Sequence, residues 1–258
     1  MFYWIYDIPT LLVIGLFSVV FVGVCWVGII LLGPFAKSWF HEQPQLNEIL
    51  GNFLHYFGVI YGLLLGLLAI ATYQDHSDVQ KAVAGEASSL AALYRDVTAY
   101  PEPSRTKLQD LLRGYTRSVI VYAWPLQRKG IVPIDGVAAF QAQLVLFEPQ
   151  TKGQEALHEA ALRQFNTFYE YRRTRLYSVY SGIPAILWYT VAVGALINML
   201  LIWLFDLRLH AHWLLGGLIS FYLATIISVI ALLDHPLRGK LGVSPEVFQL
   251  VYDQLMKQ

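Results

Sequence analysis

Runs of apolar residues alternate with polar stretches in a pattern that predicts four membrane spans and a helical segment between the second and third. From Ile8 to Leu32 no charged residue occurs, a run longer than the roughly 20 residues needed to cross the hydrocarbon of a bilayer. Trp4 and Tyr6 before it and Trp39 after it stand where interfacial aromatic residues belong. Gly33-Pro34 is expected to break this helix, leaving residues 35 to 52 as a short polar connection. The second span is Phe53 to Gln74, the third runs from about 183 to 205, and the fourth is Trp213 to Leu233. Asp206 to His212 is expected to be a short wet loop.

Residues 75 to 182 are charged, alanine-rich and periodic in the helical sense. Val79, Val83, Leu90, Leu93 and Val97 form an apolar stripe, and Glu86 falls on it. Pro101 and Pro103 end that helix, and Ser104 is placed to cap the next, which carries Leu108, Leu112, Tyr115 and Val119 toward Trp124-Pro125. A shorter helix is expected from about Ile134 to Phe147. The last begins at Thr151, with Gln154 in capping-box position, and meets no breaker before Pro184. Leu162, Phe165, Tyr169, Leu176 and Val179 define its expected buried stripe, with Arg172 on it. Continuation of this helix into the third span, with a bend at Pro184, is expected to join the two layers into one lever. After the fourth span, Ser244-Pro245-Glu246 starts a terminal helix over Val247 to Met256.

The resulting expectation is an all-α chain: a transmembrane hairpin over 1–74, a cytoplasmic helical domain over 75–182, a second hairpin over 183–233, and a C-terminal turn and helix over 234–258. Lys81, Arg172, Arg173, Arg175, Arg238 and Lys240 lie near the membrane on one side, against Lys37 and Arg208 on the other. The excess of positive charge places the helical domain and both termini in the cytoplasm.

Composition agrees with a bilayer protein: 56% of the 258 residues are hydrophobic and 14% charged, against about 25% charged in an ordinary soluble domain. Net charge is zero, so nucleic acid is not an expected partner. The N-terminus lacks the basic stretch of a signal peptide, and the first span is expected to be retained. The single cysteine, Cys25, permits neither an intrachain disulfide nor a cysteine-based zinc site. No nucleophile, metal or phosphate-loop motif occurs. His210 and His212 read as interfacial polar residues. No enzyme activity, metal or cofactor is expected.

Two features stand out. In the second span Gly58, Gly62 and Gly66 recur on one helical face, while Tyr56, Ile60, Leu63 and Leu67 form a bulky opposite face. The glycines suit either a tight helix pair within one subunit or close approach between copies arranged around a conduction path. Second, Glu86 and Arg172 occupy positions where an apolar side chain is expected. A buried carboxylate needs a partner, which Arg172 or Arg175 supplies, either to fix helix register or to line an ion route. No span carries an acidic or basic residue in its middle, which argues against a proton-coupled pump.

The glycine-rich second span running into Ala71-Thr72-Tyr73-Gln74-Asp75, then Glu86-Ala87, Leu93-Tyr94-Arg95-Asp96, Tyr171-Arg172-Arg173, and Asp234-His235-Pro236-Leu237-Arg238-Gly239 with Val243-Ser244-Pro245-Glu246, resembles the bestrophin-like family of bacterial membrane proteins. The likeness spans nearly the whole chain and rests on the order of short motifs. It implies the arrangement of bestrophins: pentameric ion channels with four spans, a helical cytoplasmic layer and a neck lined by the second span. Asp234, Pro236 and Gly239 hold the place of the bestrophin post-span turn. Lys240-Leu241-Gly242 replaces the acidic run that clasps calcium there.

On this reading the chain is a homo-oligomeric channel of the bacterial inner membrane, with the lipid bilayer and inorganic ions as partners and five subunits by analogy. The alternative is a non-conducting scaffold or sensor whose cytoplasmic helices recruit a partner. Tyr56, Ile60, Leu63 and Leu67 are expected to face the pore and the glycines a helix contact; the reverse orientation, with glycines bordering a wider pore, stays open.

Overall fold

The computed structural model describes residues 3–40, 45–134 and 136–257; the side chains of Lys37 and Trp39 lie outside what is described. In chain order the helices are α1 (Thr10–Phe40), α2 (Leu46–Val97), α3 (Ser104–Ser118), α4 (Trp124–Gln127), α5 (Val137–Val145), α6 (Lys152–Ser178), α7 (Ala185–Leu204), α8 (Leu209–Leu233) and α9 (Glu246–Val251). A 3-10 turn (Tyr3–Tyr6) precedes α1, and π turns follow α3 (Val119–Ala123) and α9 (Tyr252–Met256). Among the described residues there is no strand. α1, α2, α7 and α8 are long and apolar enough to cross a membrane. The chain divides into two compact units, one of Met1–Gln74, Gly182–Asp234 and Gly239–Leu241, the other of Asp75–Ser181, His235–Arg238 and Gly242–Gln258.

In the first unit α1 does not stop at Gly33-Pro34 but runs through Pro34 to Phe40. Proline removes one backbone donor and crowds one carbonyl, a defect that membrane helices absorb locally. α2 correspondingly starts at Leu46 rather than Phe53. Its first turn is tied down by Asn47, whose Nδ2 donates to the Asp206 carbonyl at 2.8 Å while its Oδ1 accepts from Asp206 N at 2.9 Å. The expected loop to His212 is also shorter. α8 begins at Leu209, and His212 is a buried helical residue with Nε2 2.8 Å from the Ile202 carbonyl.

Lipid is as apolar as leucine, so these helices associate through packing and hydrogen bonds rather than water release. Tyr61, Leu65 and Leu68 of α2 pack with Val191 of α7 and with Leu223 and Ile227 of α8, and the Tyr61 hydroxyl donates to the Val191 carbonyl at 2.7 Å. The close approach is made by Gly194, where an added Cβ would lie 2.2 Å from the Tyr61 ring. Gly28 serves Trp203 in the same way, at 2.0 Å, and Trp203 Nε1 donates to the Cys25 carbonyl at 3.0 Å. Gly194→Ala is therefore expected to displace Tyr61 and lower stability by about 1–3 kcal/mol, the usual cost of overpacking. Unfolding of purified protein in detergent measures it, and unchanged unfolding would show that the ring moves aside freely.

The second unit is an amphipathic assembly around Leu90, Leu93, Val97, Leu108, Leu112, Phe140, Phe165, Phe168 and Phe248. Each such side chain taken out of water contributes roughly 1.5–3 kcal/mol. Its helix starts differ in detail from expectation. Pro103, not Ser104, is the N-cap of α3, and the Glu102 carboxylate accepts from Thr106 N at 3.3 Å and Thr106 Oγ1 at 2.8 Å. Pro245, not Ser244, caps α9. Thr151 does cap α6, its Oγ1 accepting from Gln154 N at 3.2 Å.

The long helix expected to join α6 to α7 is not formed: six residues, Val179 to Pro184, separate them. Ile183 precedes a proline, which disfavours helical ψ, and its N–H is taken by Asp234 Oδ1. The unbroken helix is α2 instead, 52 residues long.

Candidate functional site

α2 carries the candidate site in the first unit. Its most apolar window is only 17% buried, against 44% for α8, so of the apolar helices it has much the least cover from its own chain. The covered face is Tyr61, Leu65, Leu68 and Thr72, residues that stack at helical spacing. Tyr56 (70% exposed), Ile60, Leu63, Leu67 and Ile70 lie on the far side, all more than half exposed. Toward the start of the helix this surface forms an open groove of about 410 Å³ lined by Ile49, Asn52, Phe53, Tyr56, Phe57 and Ile60. A methyl group added at Gly58, Gly62 or Gly66 would meet no atom within 4 Å. Among the described residues the glycine stripe therefore makes no tight helix pair; Gly28 and Gly194 do that. Neither was legible as a packing residue: Gly194 is the single glycine of α7, and the glycines of α1, Gly15, Gly23, Gly28 and Gly33, do not recur at a four-residue spacing.

The second unit holds a buried ionic cluster. Glu86 on α2 and Arg175 on α6 are both fully buried. Arg175 Nε donates to Glu86 Oε2 at 2.7 Å and Nη2 to Oε1 at 2.9 Å, a bidentate pairing of planar groups. Tyr115 of α3 donates its hydroxyl to Glu86 Oε1 at 2.6 Å, and Gln127 Oε1 accepts from Arg175 Nη1. Trp124 and Phe248 flank the guanidinium, with ring centroids 5.5 and 5.8 Å from its carbon. Of the two arginines in question, Arg175 reaches Glu86. Arg172 is half-buried, its guanidinium 5.7 Å from the Tyr169 ring centroid. The buried face of α6 is accordingly Ala161, Phe165, Phe168, Arg175 and Ser178, and Tyr169, expected inside, is 44% exposed. Sequence reasoning missed Tyr115 and Gln127 as members of the cluster. The signal for Tyr115 was its hydroxyl on an otherwise apolar stripe; Gln127, beyond the Trp124-Pro125 end of that stripe, offered none.

Burial pushes the Tyr115 phenol well above its ordinary range, and the Glu86 carboxylate pushes it further. Burial by itself would lower the Arg175 guanidinium, but the Glu86 charge and hydrogen bonds outweigh it and hold it above the usual value. Burial also raises Tyr100 to about 12, helped by Asp96. Both phenols thus bind their protons more tightly folded than unfolded. Their contribution is present in full below the ordinary phenol pKa near 10 and is lost as pH rises through the folded values. Unfolding measured from pH 9 to 12 is expected to show that loss, reduced in Tyr115→Phe; a pH-independent Tyr115→Phe difference would count against a proton held at this site.

The turn after α8 is built by separate contacts. Asp234 accepts from Ile183 N and, at 3.3 Å, from Trp188 Nε1, setting a carboxylate at the start of α7 where a helix favours negative charge. Pro236 O accepts from Val243 N at 2.8 Å. Gly239 has φ 73°, and a Cβ there would lie 3.2 Å from Tyr6. Among the described residues no three His, Cys, Asp or Glu side chains converge as a metal site.

Comparison with known proteins gives a consistent result. The Bestrophin-like domain family matches residues 12–248. Among solved structures, a point mutant of a bacterial bestrophin homolog from Klebsiella pneumoniae aligns with a TM-score of 0.66 at 11% identity, over 93% of this chain and 99% of its own. A second mutant of that homolog gives 0.64 at 13% identity, over 95% and 98%. These likenesses establish a common fold. No curated protein matches.

Proposed function

This chain belongs to the bestrophin-like family, and from that membership we propose that it forms a homo-oligomeric ion channel of a bacterial inner membrane, with α2 around the axis and the helical unit and both termini in the cytoplasm. The observation that carries this reading is the bareness of α2: among the described residues of the chain, two distinct faces of this apolar helix are left uncovered.

The angular arrangement supports a particular packing. At about 100° per residue, Gly62 lies roughly a quarter turn from Tyr61, whereas Leu63 and Ile70 lie nearly opposite it. If the partners of Tyr61 stand on the outside of a ring, Leu63 and Ile70 face inward, with Tyr56 and Leu67 beside them. Gly58, Gly62 and Gly66 then flank the pore and meet the Ile60 side of the neighbouring α2. An apolar ring of this kind holds back ions by dewetting. One four-span subunit without a polar interior encloses no water route, so several copies are required. Five is the number that bestrophins suggest.

Current recording from purified protein in planar bilayers tests the proposal, together with the mass of the detergent-solubilised particle. Ionic current from a particle of several subunits is the expected result. A particle of one subunit rules the channel out, and an oligomer that passes no current favours a scaffold whose helical unit recruits a partner.

A further inference from the structure

The first turns of α2 are held differently from the turns that follow them. From Tyr61 onward the helix is seated: Tyr61, Leu65, Leu68 and Thr72 are buried, as is the hydrogen bond from Tyr61 to the Val191 carbonyl. Of residues 46–60, Leu50 alone is buried, while Phe53, Tyr56, Val59 and Ile60 are each more than 60% exposed. The Asn47 amide ties this segment down, donating to the Asp206 carbonyl and accepting from Asp206 N through two solvent-exposed hydrogen bonds.

The other half of the tie is firm. The Ile202 carbonyl near the end of α7 accepts from Phe205 N at 3.3 Å and lies 2.8 Å from Nε2 of the buried His212 of α8. The Asp206 backbone is thus carried by two packed helices, whereas the segment it holds has little packing of its own. Few buried apolar contacts and exposed hydrogen bonds mark the parts of a fold that open at low cost. The direction of pull is also defined. At about 100° per residue, Asn47 lies roughly 40° from Tyr61, so both draw α2 toward the same side. On the far side, Phe53, Tyr56 and Ile60 border the open apolar groove. In a water-filled mouth such surface is driven to meet its like, because apolar area then leaves water.

We propose that the Asn47–Asp206 pair is a releasable strap that holds the N-terminal mouth of the pore open. Its release lets the first turns of α2 pivot near Tyr61 toward the axis, where Tyr56 and Ile60 of the several copies meet and shut the mouth. This inference rests on the channel proposed above, in which α2 surrounds the axis. Asn47 is a positioning residue in it, acting through the helix rather than on an ion.

The test combines single-channel recording with amide hydrogen exchange on the full-length protein. Asn47→Ala removes both hydrogen bonds and is expected to lower the ratio of open to closed time about thirtyfold, the worth of two ordinary hydrogen bonds, at unchanged current through the open particle. Asn47→Asp keeps the acceptor for Asp206 N and loses the donor to its carbonyl, and is expected to fall between Asn47→Ala and the parent. In both variants exchange is expected to quicken over residues 46–60 and to stay as in the parent over 61–74. Unchanged exchange over 46–60 in Asn47→Ala overturns the proposal. Faster exchange along the whole of α2 overturns it in favour of a tie that merely stabilises the fold, and a smaller open current at an unchanged ratio of open to closed time overturns it in favour of a fixed pore wall. Absence of current from the parent is failure of the channel reading itself, told apart from failure of the strap by the exchange result, which needs no current.

Discussion

Arg175→Met and Glu86→Gln are each expected to lower the stability of the helical unit by about 3–5 kcal/mol, because each leaves one member of a fully buried pair without its counter-charge. The pair is bidentate at 2.7 and 2.9 Å, and both side chains have zero exposure, so solvent cannot screen what remains. The two substitutions do not leave equal defects. Without Arg175, the carboxylate keeps one donor, Tyr115. Without the Glu86 charge, the guanidinium keeps Gln127 and its two aromatic neighbours. The double substitution is expected to cost much less than the sum, since replacing a buried ion pair by groups of similar volume is often close to neutral. Unfolding of the four proteins in detergent yields the coupling directly. Arg172→Met belongs in the same series and is expected to lie within about 0.5 kcal/mol of the parent, as partly exposed substitutions usually do. A large loss there together with a small one in Arg175→Met contradicts the assignment.

Leu63→Ala is expected to raise ion flux through reconstituted vesicles, and Gly62→Leu to prevent assembly. The first rests on the position of Leu63 almost opposite the covered face of α2, where it is 64% exposed. Trimming an apolar ring widens it and lets water enter, which lowers a dewetting barrier. The second rests on the emptiness around Gly62, where a Cβ meets nothing within 4 Å among the described residues of its own chain. On the proposed packing the obstacle to a larger side chain is another copy approaching closely across the glycine face. Flux and particle mass, measured on the same preparations, separate the possibilities. Flux unchanged in Leu63→Ala, with Gly62→Leu assembling normally but blocked, reverses the two faces and puts the glycines at the pore.

The four apolar helices, the helical character of the middle of the chain and the start of α6 at Thr151 follow from sequence alone, because hydropathy over a span and a capping hydroxyl are local quantities. The same holds for Glu86: its place on the stripe of Val79, Val83 and Leu90 makes it a buried acid in need of a partner before any partner is known. The identity of that partner is not local. Arg172 and Arg175 are three residues apart and so lie on neighbouring faces of α6, and periodicity alone admits either. A small rotation that buries Phe168 and exposes Tyr169 decides for Arg175, and only packing against α2, α3 and α4 imposes it. The break before α7 likewise needs Asp234, 51 residues away, to take the Ile183 N–H. The passage of α1 through Pro34 depends on surroundings that Gly-Pro does not encode. The glycines of α2 show the division most plainly. Their spacing marks a face that admits close approach, whereas the fold decides that no described residue of the same chain packs closely on it, because Tyr61, Leu65 and Leu68 turn the helix the other way to meet α7 and α8.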